Sequence, residues 1–244
     1  MAYGGDSVAD LTALSKGVSW WYNWSAQPDN AAVASAHDGI PVEFVPMAWG
    51  QGSLADLAVQ VPSDAHTLLG FNEPNFGSQA NLTPTQAAML WPQVEAVAQP
   101  KGLALVSPAV NYCGSPCNVA NPFDWLDQFF AACPGCKVDY VAMHWYACTG
   151  SALTGYLQEF ESKYTQDLWL TEFSCLDGSD TTVPAQESYM QTALAILEAD
   201  PRVYRYAWFT GRSTSSPAVN LLGADGTLTP LGQIYVSYPE SCKP

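Results

Sequence analysis

Leu68-Leu69-Gly70-Phe71-Asn72-Glu73-Pro74-Asn75-Phe76 is an apolar run that breaks off in a carboxylate. Its short, uncharged first half reads as a buried strand, and Pro74 stops it. A second run, Leu168-Trp169-Leu170-Thr171-Glu172-Phe173, also carries a glutamate near its end. In a barrel of alternating parallel strands and helices, chemistry is done at the C-terminal strand tips. Two apolar strands that each deliver one carboxylate there point to the acid/base and nucleophile pair of a glycosidase.

Working outward, strand-like runs occupy residues 17–24, 42–49, 67–75, 103–111, 138–146, 168–175 and 204–211, with a weaker one at 220–223. Helical stretches fall between them. Thr83-Pro84-Thr85-Gln86 combines a capping residue, proline at the first helical position and glutamine three residues after the cap, and that helix should end at Pro100-Lys101-Gly102. Others are expected from Asn121-Pro122, over 153–164 and over 182–199. This alternation predicts an α/β fold, a single (β/α)8 TIM barrel filling residues 1–244, a length typical of that fold. Seven clear strands leave the eighth open: it is the 220–223 segment, or a stunted second strand within 27–41.

The 48% hydrophobic and 13% charged composition belongs to a globular chain. Eight Lys and Arg against 23 Asp and Glu give a net charge of −15, which repels phosphate backbones and argues against a nucleic-acid partner. No apolar run approaches the roughly 20 residues of a membrane span, so no membrane partner is expected. Nine Trp and twelve Tyr are many; about half of these rings are expected to fill the core, and rings with an apolar face and a polar edge also suit sugar surfaces. The opening MAYGGDSVADL lacks the charged start and apolar centre of a signal peptide. Seven Cys and the sequons at Asn23 and Asn81 nevertheless favour a mature secreted protein, extracellular or in a cell wall. Asn81 is the expected glycan site; Asn23 should serve the mouth of the barrel. No amphipathic helix stands out as a partner surface, and a monomer is expected.

The cysteines test the topology. Cys113 and Cys117 follow a strand, whereas Cys133 and Cys136 precede the next one across a helix of about 12 residues, roughly 18 Å at 1.5 Å per residue. A disulfide tolerates a Cα separation of only about 4.4–6.8 Å, so cross-pairing and a four-cysteine zinc site are both excluded under this strand order. The expected pairs are Cys113–Cys117, Cys133–Cys136 and Cys148–Cys175, with Cys242 alone.

Alternation along a strand places His144 and Tyr146 on one face and Trp145 on the other. Strict alternation would put Asn72 and Glu73 on opposite faces, so both reach a substrate only if the strand end is bent or bulged. There is no G-x-S-x-G, H-E-x-x-H, P-loop or G-x-G-x-x-G pattern. His37, His66 and His144 are too few and scattered for a metal site, and the first two read as loop residues. No cofactor is expected.

Lys16-Gly-Val-Ser-Trp-Trp-Tyr-Asn-Trp24, Val45-Pro-Met-Ala-Trp49, Gly70-Phe-Asn-Glu-Pro-Asn75, Trp169-Leu-Thr-Glu-Phe173 and the closing Gly226-Thr-Leu-Thr-Pro-Leu-Gly232 resemble glycoside hydrolase family 128, β-1,3-glucanases of clan A. The resemblance spans nearly the whole chain. It implies a retaining endo-β-1,3-glucanase acting on β-1,3-glucan, with Glu73 as general acid/base on strand 4 and Glu172 as nucleophile on strand 7. That numbering makes the second strand the stunted one. It further implies that Asn72 contacts the sugar 2-hydroxyl, that Tyr146 orients Glu172 and that Trp208 lies under the sugar; strand parity alone already aims His144 at a carboxylate or the sugar. Trp20, Trp21, Trp49, Trp145 and Phe173 become candidates for the cleft walls. Double displacement requires carboxyl groups about 5–5.5 Å apart, against roughly 6.5–9.5 Å for inversion. The rival readings are a non-hydrolytic or exo-acting β-1,3-glucan binder on the same barrel, and action on β-1,4 chains.

Overall fold

The computed structural model describes residues 1–3, 7–36 and 39–238. Its elements in chain order are α1 (Val8–Leu14), β1 (Trp20–Trp21), α2 (Ala31–Ala36), β2 (Glu43–Phe44), α3 (Leu57–Gln60), β3 (Thr67–Leu69), α4 (Pro84–Lys101) and β4 (Ala104–Val106). There follow α5 (Pro122–Ala132), β5 (Tyr140–Trp145), α6 (Gly150–Lys163), β6 (Asp167–Phe173), α7 (Val183–Ala199), β7 (Val203–Trp208) and α8 (Pro230–Ser237). The fold is α/β, with a parallel sheet in the order β3-β4-β5-β6-β7 and a parallel pair β1-β2. Each of the seven clear strand-like runs holds one strand. The chain divides into two compact units, one built on Val45–His144 with Trp24–Gln27, the other on Met1–Asn23, Pro28–Phe44 and the chain from Trp145 onward.

In the 45–144 unit, Leu68 pairs with Leu105 and Val106 with Tyr140. Gly70 lets β3 continue past β4, because a Cβ there would lie 2.8 Å from the Val106 oxygen and from the Ser107–Pro108 backbone. α4 opens as expected. The Thr83 hydroxyl accepts the Gln86 N–H at 3.3 Å, while Gln86 Oε1 accepts the Thr83 N–H at 2.9 Å. It closes on Gly102 at φ 68°, the left-handed position glycine takes without penalty. α5 is capped by Asn121, whose Oδ1 accepts the Phe123 N–H at 2.8 Å. The core of this unit is a ring cluster: Trp91 meets Phe71 at 5.9 Å and Phe129 at 5.4 Å, and Trp125 stacks on Phe129 at 5.7 Å. A large ring buries about 150–250 Å², roughly 4–6 kcal/mol of gross transfer energy at ~25 cal/mol per Å².

In the terminal unit, β6 and β7 pair Leu170 with Tyr206 and Phe173 with Trp208. β6 takes three steps there against two on β7, so an extra residue is inserted in the Thr171-Glu172 interval, a bulge. α6 begins at Gly150, three residues before the sequence expectation. Its first three residues, Gly150, Ser151 and Ala152, are small, and the apolar face that marks a helix in sequence starts only at the buried Leu153. A half-buried ion pair joins α1 to the segment after β7. Arg212 Nη1 and Nη2 donate to the two Asp10 oxygens at 2.5 and 2.6 Å. Burial works against the Asp10 charge, but bonds from Arg212 and from the Gly226 N–H outweigh it and hold the carboxyl below its ordinary range.

Two expectations about strands are corrected. Residues 220–223 form no named strand; Leu222 makes a single antiparallel bridge to Leu228. The short element before β3 is not a stunted strand within 27–41, where the described residues hold α2. Ala2, outside any named strand, bridges in parallel to both Tyr22 and Phe209. Three residues without apolar alternation give no strand signal, which is why Met1–Tyr3 escaped the pattern.

The disulfides Cys113–Cys117, Cys133–Cys136 and Cys148–Cys175 are all present, with Cα separations of 6.0, 5.3 and 4.5 Å. Cys242 and His37 lie outside the described residues. His66 is an exposed loop residue, Asn81 is exposed, and Asn23 is buried with its amide donating to Asp29 at 2.8 Å. No described helix is long and apolar enough to cross a membrane.

Candidate active site

In the 45–144 unit, β3 ends irregularly. The named strand stops at Leu69, yet Asn72 still bridges Ala109; its N–H donates to the Trp49 oxygen and that of Glu73 to the Ala109 oxygen, both at 2.9 Å. Glu73 itself has φ 39°, a left-handed conformation that costs a non-glycine residue roughly 1–3 kcal/mol. The turn that follows holds it there. The Phe76 N–H donates to the Glu73 oxygen at 3.0 Å, and the Pro74 oxygen accepts from Leu82 N–H at 2.9 Å and from Asn118 Nδ2 at 2.7 Å. This twist removes the strict alternation that would force Asn72 and Glu73 apart.

Glu73 is 8% exposed, and its Oε1 lies 3.0 Å from Nδ1 of the fully buried His144. The His144 N–H is fixed on the Val110 oxygen at 2.9 Å. A carboxylate offers only acceptors and a carboxylic acid one donor, so this contact can hold a proton on either partner. A residue that alternately gives and takes a proton needs that property. Asn72 donates from Nδ2 to Gln79 at 3.3 Å, while its buried Oδ1 has no protein partner among the described residues. An acceptor left open in this way suits a hydroxyl donor, such as one carried by a sugar.

In the terminal unit the β6 bulge aims Glu172, which is 4% exposed. Tyr146 donates its hydroxyl to Oε2. The Tyr22 hydroxyl lies 3.1 Å from Oε1 and 2.9 Å from the Thr171 oxygen. Both carboxylate oxygens therefore face a phenol, and the group is held in one orientation. Phe209 stands edge-on to Tyr146 with centroids 5.8 Å apart and is half-exposed.

Alternation holds for Trp145, which turns away from Tyr146 and stacks on Tyr156 of α6 at 4.4 Å. It packs a helix and does not line a cleft. Trp20, Trp21 and Phe173 are likewise core residues: Trp20 stacks on Tyr22 at 5.8 Å and meets Trp169 at 5.0 Å, Trp21 packs on Phe44 at 4.8 Å, and Phe173 packs on Trp208 at 5.1 Å. Trp208 is 0% exposed and donates its indole N–H to the Val219 oxygen at 2.8 Å. The neighbour across the pleat, Phe209, points toward Tyr146 instead. Trp49 is half-buried and remains a wall candidate. Sequence reasoning missed Tyr22 and Phe209. Parity carried the signal for both, Tyr22 lying two residues from Trp20 and Phe209 one from Trp208.

The profile of the family described as "Glycosyl hydrolase catalytic core" matches residues 1–235, which defines the chain as a glycoside hydrolase. Among solved structures, an endo-β-1,3-glucanase of glycoside hydrolase family 128, subgroup II, from Sorangium cellulosum is 46% identical, with 98% of each chain covered and a TM-score of 0.92. A subgroup I endo-β-1,3-glucanase from Amycolatopsis mediterranei, solved with laminaritriose, is 33% identical over 97% of each chain, with a TM-score of 0.78. Alkali-sensitive linkage protein 1 of Schizosaccharomyces pombe (strain 972 / ATCC 24843) is 31% identical over 232 residues, which is 92% of this chain but 41% of that protein. The chain belongs to glycoside hydrolase family 128.

Proposed function

We propose that this chain is a secreted, retaining endo-β-1,3-glucanase in which Glu172 attacks the anomeric carbon and Glu73 is the general acid/base. The observation that carries the reading is the contrast between the carboxylates: Glu172 is fixed at both oxygens by Tyr146 and Tyr22, whereas Glu73 shares a contact with an imidazole. A nucleophile must be held in line, and an acid/base must exchange a proton. In the first step Glu172 forms a bond to C1 as the glycosidic C–O bond breaks, and Glu73 gives its proton to the leaving oxygen. In the second, Glu73 takes a proton from water, whose oxygen displaces Glu172. Asn72 takes the 2-hydroxyl as donor, while Phe209 and Trp49 offer faces to the glucosyl rings. The reading requires one closed (β/α)8 domain, Ala2 standing in for the first strand, that brings the two carboxylates about 5–5.5 Å apart.

The endo assignment and the substrate follow the Sorangium cellulosum and Amycolatopsis mediterranei enzymes, both named as endo-β-1,3-glucanases. Three disulfides suit an oxidising compartment. Incubation with a linear β-1,3-glucan should release new reducing ends, with β anomers appearing first by proton NMR and oligosaccharides of several lengths at early times. First-formed α anomers would contradict retention, and glucose alone would assign exo action. Binding without release would leave a non-hydrolytic glucan binder.

A further inference from the structure

Glu172 lies near the end of β6, and residues 175–177 just beyond that strand are held from two directions within the terminal unit. From α7, the fully buried Gln186 reads the backbone of Cys175 on both sides: Oε1 accepts the Cys175 N–H at 3.0 Å, and Nε2 donates to the Cys175 oxygen. From the residue just after β5, the Tyr146 backbone oxygen accepts the N–H groups of Leu176 and Asp177 at 3.0 and 2.9 Å. The Cys148–Cys175 disulfide closes the same circuit two residues after Tyr146 and three after Glu172. Gly178 covers the bridge so closely that a Cβ there would lie 2.4 Å from Cys148 Sγ. The chain segments carrying the phenol and the carboxylate it contacts are thus tied through Cys175, and Gln186 is the side chain that fixes Cys175.

A buried glutamine in the first turns of a helix has no packing advantage over methionine, and its burial is unfavourable unless donor and acceptor are both matched. Here the amide makes a matched pair of bonds to one residue. Nε2 lies 3.4 Å from the Thr181 oxygen as well, and the backbone N–H of Gln186 is engaged in its own helix. An amide able to donate and accept at one fixed peptide sets the position and rotation of that peptide, which an apolar residue cannot do.

We infer that Gln186 is a positioning residue for the reaction: by locking the Cys175 peptide it sets the distance between the Tyr146 hydroxyl and Glu172. The inference rests on Glu172 being the nucleophile. It concerns no contact with substrate, so its loss acts on turnover more than on binding.

Gln186→Met keeps the side-chain volume and removes both bonds. On purified, folded enzyme assayed with a linear laminari-oligosaccharide, kcat should fall about tenfold or more while KM stays within about twofold. Gln186→Glu gives a second reading, because a neutral carboxylic acid offers the same donor and acceptor as the amide but a carboxylate does not. Its activity relative to the parent enzyme should rise as pH falls. Wild-type kcat in Gln186→Met, or a Gln186→Glu to parent ratio flat with pH, would overturn the inference. Should the substitutions impair folding, kcat normalised to active sites titrated with a mechanism-based inactivator decides the case. A normalised kcat equal to wild type means that the glutamine serves stability alone. If instead Glu172→Ala retains turnover, the nucleophile assignment fails first; if it is inactive while Gln186→Met is fully active, only the inference fails.

Discussion

The two glutamates differ most in how the backbone presents them. Glu73 sits at a chain ending bent into the left-handed region, held by a turn and by Asn118, and its carboxyl meets one imidazole. Glu172 remains inside a strand that gains one extra residue at a bulge, and its carboxyl meets two phenols. The first arrangement concentrates roughly 1–3 kcal/mol of strain in one residue and leaves a partner that can trade a proton. The second avoids a left-handed residue and fixes the group at both oxygens. Under the proposed assignment, residue type does not set a carboxylate's task; the strand end and the neighbouring hydrogen-bond chemistry do.

The largest test removes each carboxylate. Glu172→Ala should lower kcat by ~10⁴-fold or more, as removal of a nucleophile does. Azide should restore turnover with release of an α-glycosyl azide, since the anion enters from the vacated side. Glu73→Ala should cost ~10²–10⁴-fold, the usual contribution of general acid/base catalysis, and azide should then give the β-glycosyl product. Product anomers of the same sense from both variants would erase the distinction between the two sites.

Tyr146→Phe comes next. A hydrogen bond to a charged group contributes about 1.5–3 kcal/mol, so kcat should fall roughly tenfold to 150-fold with KM little changed. An effect below twofold would show that Tyr22 alone suffices to hold Glu172. Substitution at the neighbouring ring pair separates platform from core. Phe209→Ala should raise KM several-fold for oligosaccharides and leave the melting temperature nearly unchanged, whereas Trp208→Ala should cost about 3–5 kcal/mol of stability. The reverse pattern would restore Trp208 as the platform.

The smallest effect on activity belongs to the ion pair outside either carboxylate's surroundings. Because the folded Asp10 carboxyl is held below its unfolded value of about 3.9, its stabilisation is fully present above that pH and is lost as pH falls through the folded value. Asp10→Asn should therefore lower the melting temperature at pH 7 by several degrees. The gap from the parent should narrow below about pH 4, with kcat at 25 °C unaltered. A gap constant from pH 7 to pH 3 would show that the Asp10 charge contributes nothing.

Much of this was legible in the sequence because local physics governs it. The Thr83 capping box, the Asn121 cap, the strand-end carboxylates and the three disulfides each follow from spacing and chain geometry. What was not legible depends on one-residue parity or on unpatterned backbone. Trp208 and Phe209 differ by a single step across the pleat, and composition gives no reason to prefer the second. Ala2 makes sheet bridges in a segment too short to alternate. Tyr22 was hidden inside Trp20-Trp21-Tyr22, where all three residues are aromatic and only the sheet decides which ring reaches β6. The rings, expected to divide about evenly between core and sugar-facing surface, are largely consumed by the two cores.

The central claim, that Glu172 forms the covalent bond and Glu73 manages the proton, is tested most directly by trapping. A 2-deoxy-2-fluoro-laminaribiosyl fluoride should acylate nothing but glycosylate the enzyme once, and peptide mass mapping should place the adduct on Glu172. An adduct on Glu73, or a wild-type enzyme that turns over glucan yet accumulates no adduct, would contradict the account.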